Sequence, residues 1–169
     1  MLAVANTVGW DESYLGRLRA RVGDEQVLLF VGARAVLRDD AGRVLLIQRT
    51  DNGQWALPAG AMELGESIAE AGAREVREET GLTATGLTAF ALYTGAAHTV
   101  TNQWGHTYQL HVTAFRVDDW HGDLVTQTDE TTDARFFPPD ALPEPLSGSV
   151  TESLADLAEF EKTGRLQLR

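Results

Sequence analysis

GAMELGESIAEAGAREVREETGL, residues 60–82, carries the decisive signals of this chain. Ser67 followed by Glu70 is a capping-box pattern, and Gly81 is the residue type favoured just past a helix end, so the spacing predicts a helix over residues 67–80. On a 3.6-residue period Ala69, Gly72, Ala73 and Val76 share one face, and such small side chains let a helix lie close on a sheet. Glu75, Glu78 and Glu79 share another, because positions three and four apart are neighbours. That second face is locally unfavourable. Like-charge pairs at these spacings cost roughly 0.2–0.5 kcal/mol each, and acids near a helix C-terminus oppose the dipole by about 0.3–1 kcal/mol. Arg74 relieves Glu78 only in the weaker orientation, with the base four residues before the acid. A solvated acidic face is the plain reading of three such glutamates. The alternative is a divalent cation, which reverses the sign of the local electrostatics and prefers hard carboxylate oxygens, as Mg²⁺ and Mn²⁺ do.

Before this helix lie two β-rich runs, 26–37 and 43–49, joined at residues 39–42 by DDAG, which has the chemistry of a hairpin turn. Residues 55–57 read as a short third strand stopped by Pro58. Further upstream, residues 11–22 form a helical pattern with Tyr14, Leu15, Leu18 and Val22 on one side and Gly23 as the stop. Beyond the helix, 87–95 and 106–117 read as strands separated by a polar loop at 97–105, and 133–137 is a short strand ended by Pro138 and Pro139. A closing helix is expected over 150–163, with Ser149 and Glu152 as a capping box, Leu154, Leu157, Ala158 and Glu161 at helical spacing, and Gly164 as its stop. This order predicts an α+β fold with a mixed sheet between helices, in a single domain over residues 1–169.

Composition narrows the function. The 169 residues are 43% hydrophobic and 23% charged, a globular composition. Fourteen basic against 25 acidic residues give a net charge of −11, which argues against a sequence-independent grip on nucleic acid or on an anionic membrane. A phosphorylated small molecule stays open, provided that divalent cations stand between the carboxylates and the phosphates. Cysteine is absent, so no disulfide framework is expected. The first ten residues lack a basic region and a long apolar core, and the apolar run at 27–31 is too short to span a bilayer; a soluble, cytoplasmic protein is the expectation.

Gly60, Glu66 and the run Arg74-Glu75-Val76-Arg77-Glu78-Glu79-Thr80-Gly81-Leu82 fit G-x5-E-x7-R-E-U-x-E-E-x-G-U, with U aliphatic, at every defined position. With average residue usage, a chance match at a given start is on the order of 10⁻⁹ to 10⁻¹⁰. The stretch resembles the Nudix box, and the strands before it, the Trp55-Ala56-Leu57-Pro58 lead-in and the closing helix look like the family's α/β/α sandwich. Members usually cleave a nucleoside diphosphate linked to another group. The resemblance implies an enzyme using Mg²⁺ or Mn²⁺, with Glu75, Glu78 and Glu79 as metal-facing carboxylates and the carbonyl of Gly60 as a further ligand. It implies that Glu66 and Arg74 hold the loop against the helix. Ala59 departs from the glycine that many members carry there, a difference that concerns local loop geometry.

Hydrolysis of a pyrophosphate also needs an oriented water and a group to take its proton. Glu75 is the first candidate base. Glu130, six residues before Phe136, resembles an extra ligand or base brought by the loop before a late strand; Asp129 is its rival, and a polar turn is the plain alternative for both. Arg34 and Arg49 precede the box on strands and suit phosphate recognition, or else they are outward-facing strand residues. Trp104, with Asn102 and Gln103 beside it, is placed to stack on a base or to anchor its loop. The four histidines show no tight ligand spacing, and neither a cysteine nor a G-x-S-x-G elbow is present for a nucleophile triad.

Markers outside the box narrow the substrate by their absence. Where ADP-ribose-type members often carry a proline beyond the box, Ala96, Ala97 and His98 stand; Tyr93 comes too early for the tyrosine of dinucleoside-polyphosphate members; and the proline- and tryptophan-rich motif of NADH-type members is missing. A nucleoside triphosphate pyrophosphatase is the first expectation and an ADP-ribose or nucleotide-sugar pyrophosphatase the second. A nucleotide-sensing module without hydrolysis is the reading from another class. The N-terminal helix and the 26–37 run offer surfaces for a homodimer.

Overall fold

Stretches buried on both faces dictate the architecture, because such strands need a covering layer on each side. Val44, Leu45, Leu46 and Ile47 are all buried, as are the five consecutive residues from Ala33 to Leu37. The computed structural model describes residues 9–169; most of the opening ten residues read above, 1–8, lie outside it. In chain order the elements are α1 (Tyr14–Val22), β1 (Leu28–Val36), β2 (Val44–Arg49), β3 (Trp55–Ala56), β4 (Ala59–Ala61), α2 (Ile68–Thr80), β5 (Thr83–Tyr93), β6 (Thr99–Thr101), β7 (Thr107–His121), β8 (Thr131–Phe137), α3 (Gly148–Thr163) and β9 (Gln167–Leu168). Single-turn 3₁₀ helices at Trp10–Glu12 and Ala96–His98 precede α1 and β6.

The larger sheet runs β4-β1-β7-β5-β9, with β6 folded back on β7. It is mixed: β1 and β7 are parallel, whereas β4 on β1 and β5 on β7 are antiparallel. A smaller antiparallel sheet, β3-β2-β8, lies against it. Parity along β1 assigns the layers. Ala33 and Ala35 lie on the α2 side, clustered with Ala71 and Val76, while Val36 lies with Val112, Val150 and Leu157 on the α3 side. A mixed sheet between helices is therefore observed.

The hairpin expected between 26–37 and 43–49 exists only at its neck. Asp39 N donates to Arg43 O at 3.0 Å and Leu45 N to Leu37 O at 3.0 Å, after which β1 and β2 part into different sheets. With both strands buried on both faces, the two-stranded ladder gives way to separate layers that share a core.

α2 follows the sequence closely. Its small face packs as expected, with a Cβ on Gly72 falling 3.3 Å from Ala33 Cβ and from Leu87, although Ala71 is more deeply buried than Ala73. α1 departs more: Leu15 packs on Leu28 and Tyr108, but Tyr14 and Val22 are exposed, and the buried face is completed by Gly16 and Arg19. Arg19 escapes solvent by laying its guanidinium 4.9 Å over the Tyr108 ring and donating to the carbonyls of Gly23, Asp24 and Gln26. α3 starts at Gly148 with Ser147 as its N-cap residue, and Ser149 Oγ pairs with Ser147 Oγ at 2.9 Å, so the Ser149–Glu152 capping box does not form. Its buried positions are Val150, Ser153, Asp156 and Leu157, while Ala158 is exposed and Glu161 meets Arg38 at 2.8 Å. Among the described residues, no helix is long and apolar enough to cross a membrane.

Candidate active site

Local hydrogen bonding fixes the rotation of α2 and with it the direction of its glutamates. Ser67 Oγ accepts from Glu70 N at 3.2 Å, Glu70 Oε2 accepts from Ser67 N at 2.7 Å, and Gly81 ends the helix at φ 74°. The acidic face that follows is not solvated: Glu75, Glu78 and Glu79 are 7%, 8% and 2% exposed. Glu79 accepts a hydrogen bond from Ala59 N at 3.0 Å, at the first residue of β4, which pairs with Arg34 of β1.

Arg74 organises the rest. It grips both oxygens of Glu66 through Nε (3.1 Å) and Nη2 (2.9 Å), donates to Ala61 O at 2.8 Å, and through Nη1 reaches Glu75 at 2.8 Å and Glu78 at 2.9 Å. Glu66 in turn accepts from Glu63 N at 2.7 Å. The expected arrangement of loop against helix is thus a fork of charge-assisted hydrogen bonds. Gly60 makes it sterically possible, because a Cβ there would stand 2.1 Å from Glu75 Oε1. Gly60 itself pairs with Ala33 in the β1–β4 ladder.

Carboxyl oxygens of Glu75, Glu79 and Glu130 lie within 4.8 Å of one another. Glu78 falls outside this set, on Arg74. Glu130 joins it because Thr50 N, at the end of β2, donates to Glu130 O at 3.0 Å and holds the turn before β8 over the helix. Asp129 is not part of the cluster. Burial pushes the Glu75 carboxyl up to about 7 against the pull of Arg74, with Glu78 and Glu130 adding to the rise. Burial, then the charge of Glu75, holds Glu79 well above the usual carboxylate range. Withdrawal from water, then Glu78, raises Glu130 as well. Hard oxygen donors so close that their charges oppose one another are what a divalent cation stabilises, and bonds of about 2.0–2.1 Å nearly bridge the observed span. The residues fit such an ion.

These carboxylates sit in a cleft of about 600 Å³ that runs on to an aromatic wall. Arg49 lines it with its fork engaged by Asp51, at 2.9 Å for both Nε and Nη2. Arg34 also lines it, but on the α3 side of the sheet: its Nη1 donates to Ser153 Oγ at 2.9 Å and its guanidinium lies 5.1 Å from the Tyr93 ring centre. Both expected phosphate arginines therefore reach the cleft already partnered. Trp104 lines the cleft in a turn that Asn102 Oδ1 closes by accepting from Trp104 N and His106 N. Trp10, Phe30, Asp51, Tyr108 and Ser149 line it too; none of them is a site candidate from the sequence, where Ser149 is expected only as a helix cap. Phe30 shares strand parity with Arg34, a signal that was available. Trp10, before α1, had none.

The profile of the NUDIX domain matches residues 28–157. The NAD-capped RNA hydrolase NudC of Pseudomonas aeruginosa is 34% identical over 113 residues, covering 66% of this chain and 37% of that protein. The putative ADP-ribose pyrophosphatase YjhB of Bacillus subtilis is 34% identical over 113 residues, covering 67% of this chain and 51% of that one. The chain thus spans about a third to a half of the length of these relatives. Among solved structures, a MutT NUDIX hydrolase from Burkholderia pseudomallei superposes with a TM-score of 0.65 at 25% identity, over 78% of this chain and 99% of that one.

Proposed function

Because this chain belongs to the Nudix family, we propose that it hydrolyses a pyrophosphate bond in a nucleotide-linked compound with the help of a divalent cation, Mg²⁺ or Mn²⁺. The observation that carries the proposal is the convergence of Glu75, Glu79 and Glu130 in a cleft large enough for such a substrate. When bound, the ion would neutralise non-bridging phosphate oxygens and help to orient water. Glu75, Glu79 and Glu130 would hold it, with Gly60 a further candidate through its carbonyl. Arg74 keeps Glu78 and Glu75 aligned beside it. Glu75, held near neutrality in the metal-free protein, and Glu130 are the candidate bases for the attacking water, since a base works best with a pKa near the operating pH.

Relatives named for ADP-ribose and for NAD-capped RNA favour a nucleoside diphosphate bearing a second group over a nucleoside triphosphate, which reverses the order expected from the sequence. Arg34, Arg49 and Trp104 line the same cleft as the carboxylates, which supports them as candidate contacts for the phosphates and the base. A net charge of −11 supports a small molecule rather than an RNA chain as the partner. A hydrolysis screen tests this. Nucleoside triphosphates, ADP-ribose, dinucleotides and nucleotide sugars are incubated with Mg²⁺ or Mn²⁺, and products are resolved by chromatography. Cleavage only with the metal, at the pyrophosphate, is expected. Nucleotides bound in calorimetry yet returned intact after long incubation would make the protein a nucleotide sensor instead.

A further inference from the structure

The four tryptophans fall into two pairs. Trp55 packs edge-on against Phe137 at 4.9 Å, and Trp120 stacks on Phe136 at 5.7 Å while its indole N–H donates to Arg38 O. Trp10 and Trp104, by contrast, are 50% and 65% exposed, and both line the cleft that holds the carboxylates. Large aromatic surface left in water beside a catalytic cluster calls for a flat ligand.

Trp10 is held in place. Its ring lies 6.4 Å from the His106 ring at an interplanar angle of 16°, and His106 Nε2 meets Asp24 Oδ1 at 3.0 Å. Its carbonyl accepts from Ser13 Oγ at 2.8 Å and lies so close to Gly16 that a Cβ there would approach it to 1.7 Å. The segment bearing it is tied to the catalytic loop: Tyr14 N donates to both carboxyl oxygens of Glu63, at 2.8 and 3.1 Å, and Glu63 N donates to Glu66, the partner of Arg74. The three-residue turn carrying Trp10 thus rests on the same hydrogen-bond chain as Glu75. It lies outside residues 28–157, which match the family.

We infer that Trp10 is a specificity-determining residue, which together with Trp104 stacks the heteroaromatic base of a nucleoside diphosphate whose pyrophosphate lies at Glu75, Glu79 and Glu130. The occupant follows from continuity: the aromatic side chains and the carboxylates line one and the same cleft. The inference rests on the pyrophosphohydrolase reading for the placement of the phosphates.

The test is calorimetric titration of the full chain in Mn²⁺ with ADP, GDP, CDP and UDP, and with ribose 5-phosphate as the base-free probe. For the tightest diphosphate, Trp10→Ala should weaken binding about 10- to 100-fold, as expected for loss of one base–aromatic stack, and Trp10→Phe should largely restore it. Ribose 5-phosphate should change by less than about threefold. Equal weakening of both ligand types, no weakening of either, or no diphosphate binding by the wild type would overturn the inference. Should Trp10→Ala fail to fold, fluorescence replaces it: the emission of Trp104→Phe minus that of Trp104→Phe with Trp10→Phe isolates Trp10, quenching of this difference by the diphosphate is expected, and an unchanged difference overturns the inference. A protein that self-associates through Trp10, losing a dimer in sedimentation on Trp10→Ala with nucleotide affinity intact, does so as well. Failure of the hydrolase reading looks different: nucleotides would bind in a Trp10-dependent way and be returned uncleaved.

Discussion

Replacing Arg74 by lysine keeps the positive charge and removes the fork. The guanidinium makes five hydrogen bonds, to both oxygens of Glu66, to Ala61 O, to Glu75 and to Glu78, all between 2.8 and 3.1 Å. An ammonium has three donors at one point and cannot span these acceptors. Hydrogen bonds to charged groups contribute about 1.5–3 kcal/mol each, and truncating a fully buried ion pair costs about 3–5 kcal/mol. The Arg74 side chain is 24% exposed and lysine retains part of the attraction, so a loss of about 2–3 kcal/mol is expected. For a chain of this length that lowers Tm by roughly 5–10 °C. Urea and thermal unfolding followed by circular dichroism in EDTA would measure it. A double-mutant cycle with Glu66→Gln isolates the fork and should give a coupling of about 1–2 kcal/mol. A loss below about 0.5 kcal/mol for Arg74→Lys, or additivity within about 0.3 kcal/mol in the cycle, would refute the reasoning.

Other perturbations address the cluster itself. Glu79→Gln keeps an oxygen for Ala59 N and removes a charge beside Glu75, so in EDTA at pH 8 the variant should be at least as stable as the wild type. Its Mn²⁺-dependent rise in Tm should shrink by more than half, and turnover should fall by about two orders of magnitude or more; an undiminished metal response would contradict the ligand assignment. Gly60→Ala places a methyl about where the Glu75 carboxyl lies, so the carboxyl must leave Arg74, at a cost of about 1–3 kcal/mol; unchanged stability and metal affinity would show that the contact is dispensable. Burial pushes folded Glu75 up to about 7 and holds Glu79 well above the usual carboxylate range, whereas unfolded glutamate titrates near about 4.3. The native state therefore binds more protons between about pH 5 and 8, and the metal-free protein should gain stability as pH falls through that window, by up to about 3 kcal/mol from Glu75. Denaturation midpoints in EDTA that stay flat or drop from pH 8 to 5 would contradict this.

What the sequence disclosed follows the range of the forces involved. The helix at 67–80 was readable because its cap at Ser67 and its stop at Gly81 act within a turn. The arrangement of Glu66 with Arg74 and the approach of Glu130 to the helix depend on distant segments, and only the family resemblance pointed to them. Hairpin chemistry at 39–42 was read correctly as a turn, yet no local signal says that the strands leaving it join different sheets. At α3 two serines could begin the helix, and the local pattern does not choose between them; the helix starts after Ser147, with Val150 and Leu157 in the core. Trp10 was invisible because a lone tryptophan ahead of a helix has no periodicity to betray its neighbour His106.

Whether Glu75, Glu79 and Glu130 hold a divalent ion is tested most directly by anomalous scattering from crystals of the full chain grown with Mn²⁺. The expected result is a manganese peak within bonding distance of Glu75 and Glu79 oxygens, with Glu130 turned toward it. A map without a peak among these carboxylates at saturating Mn²⁺, or with its peak elsewhere in the cleft, would contradict the proposed site.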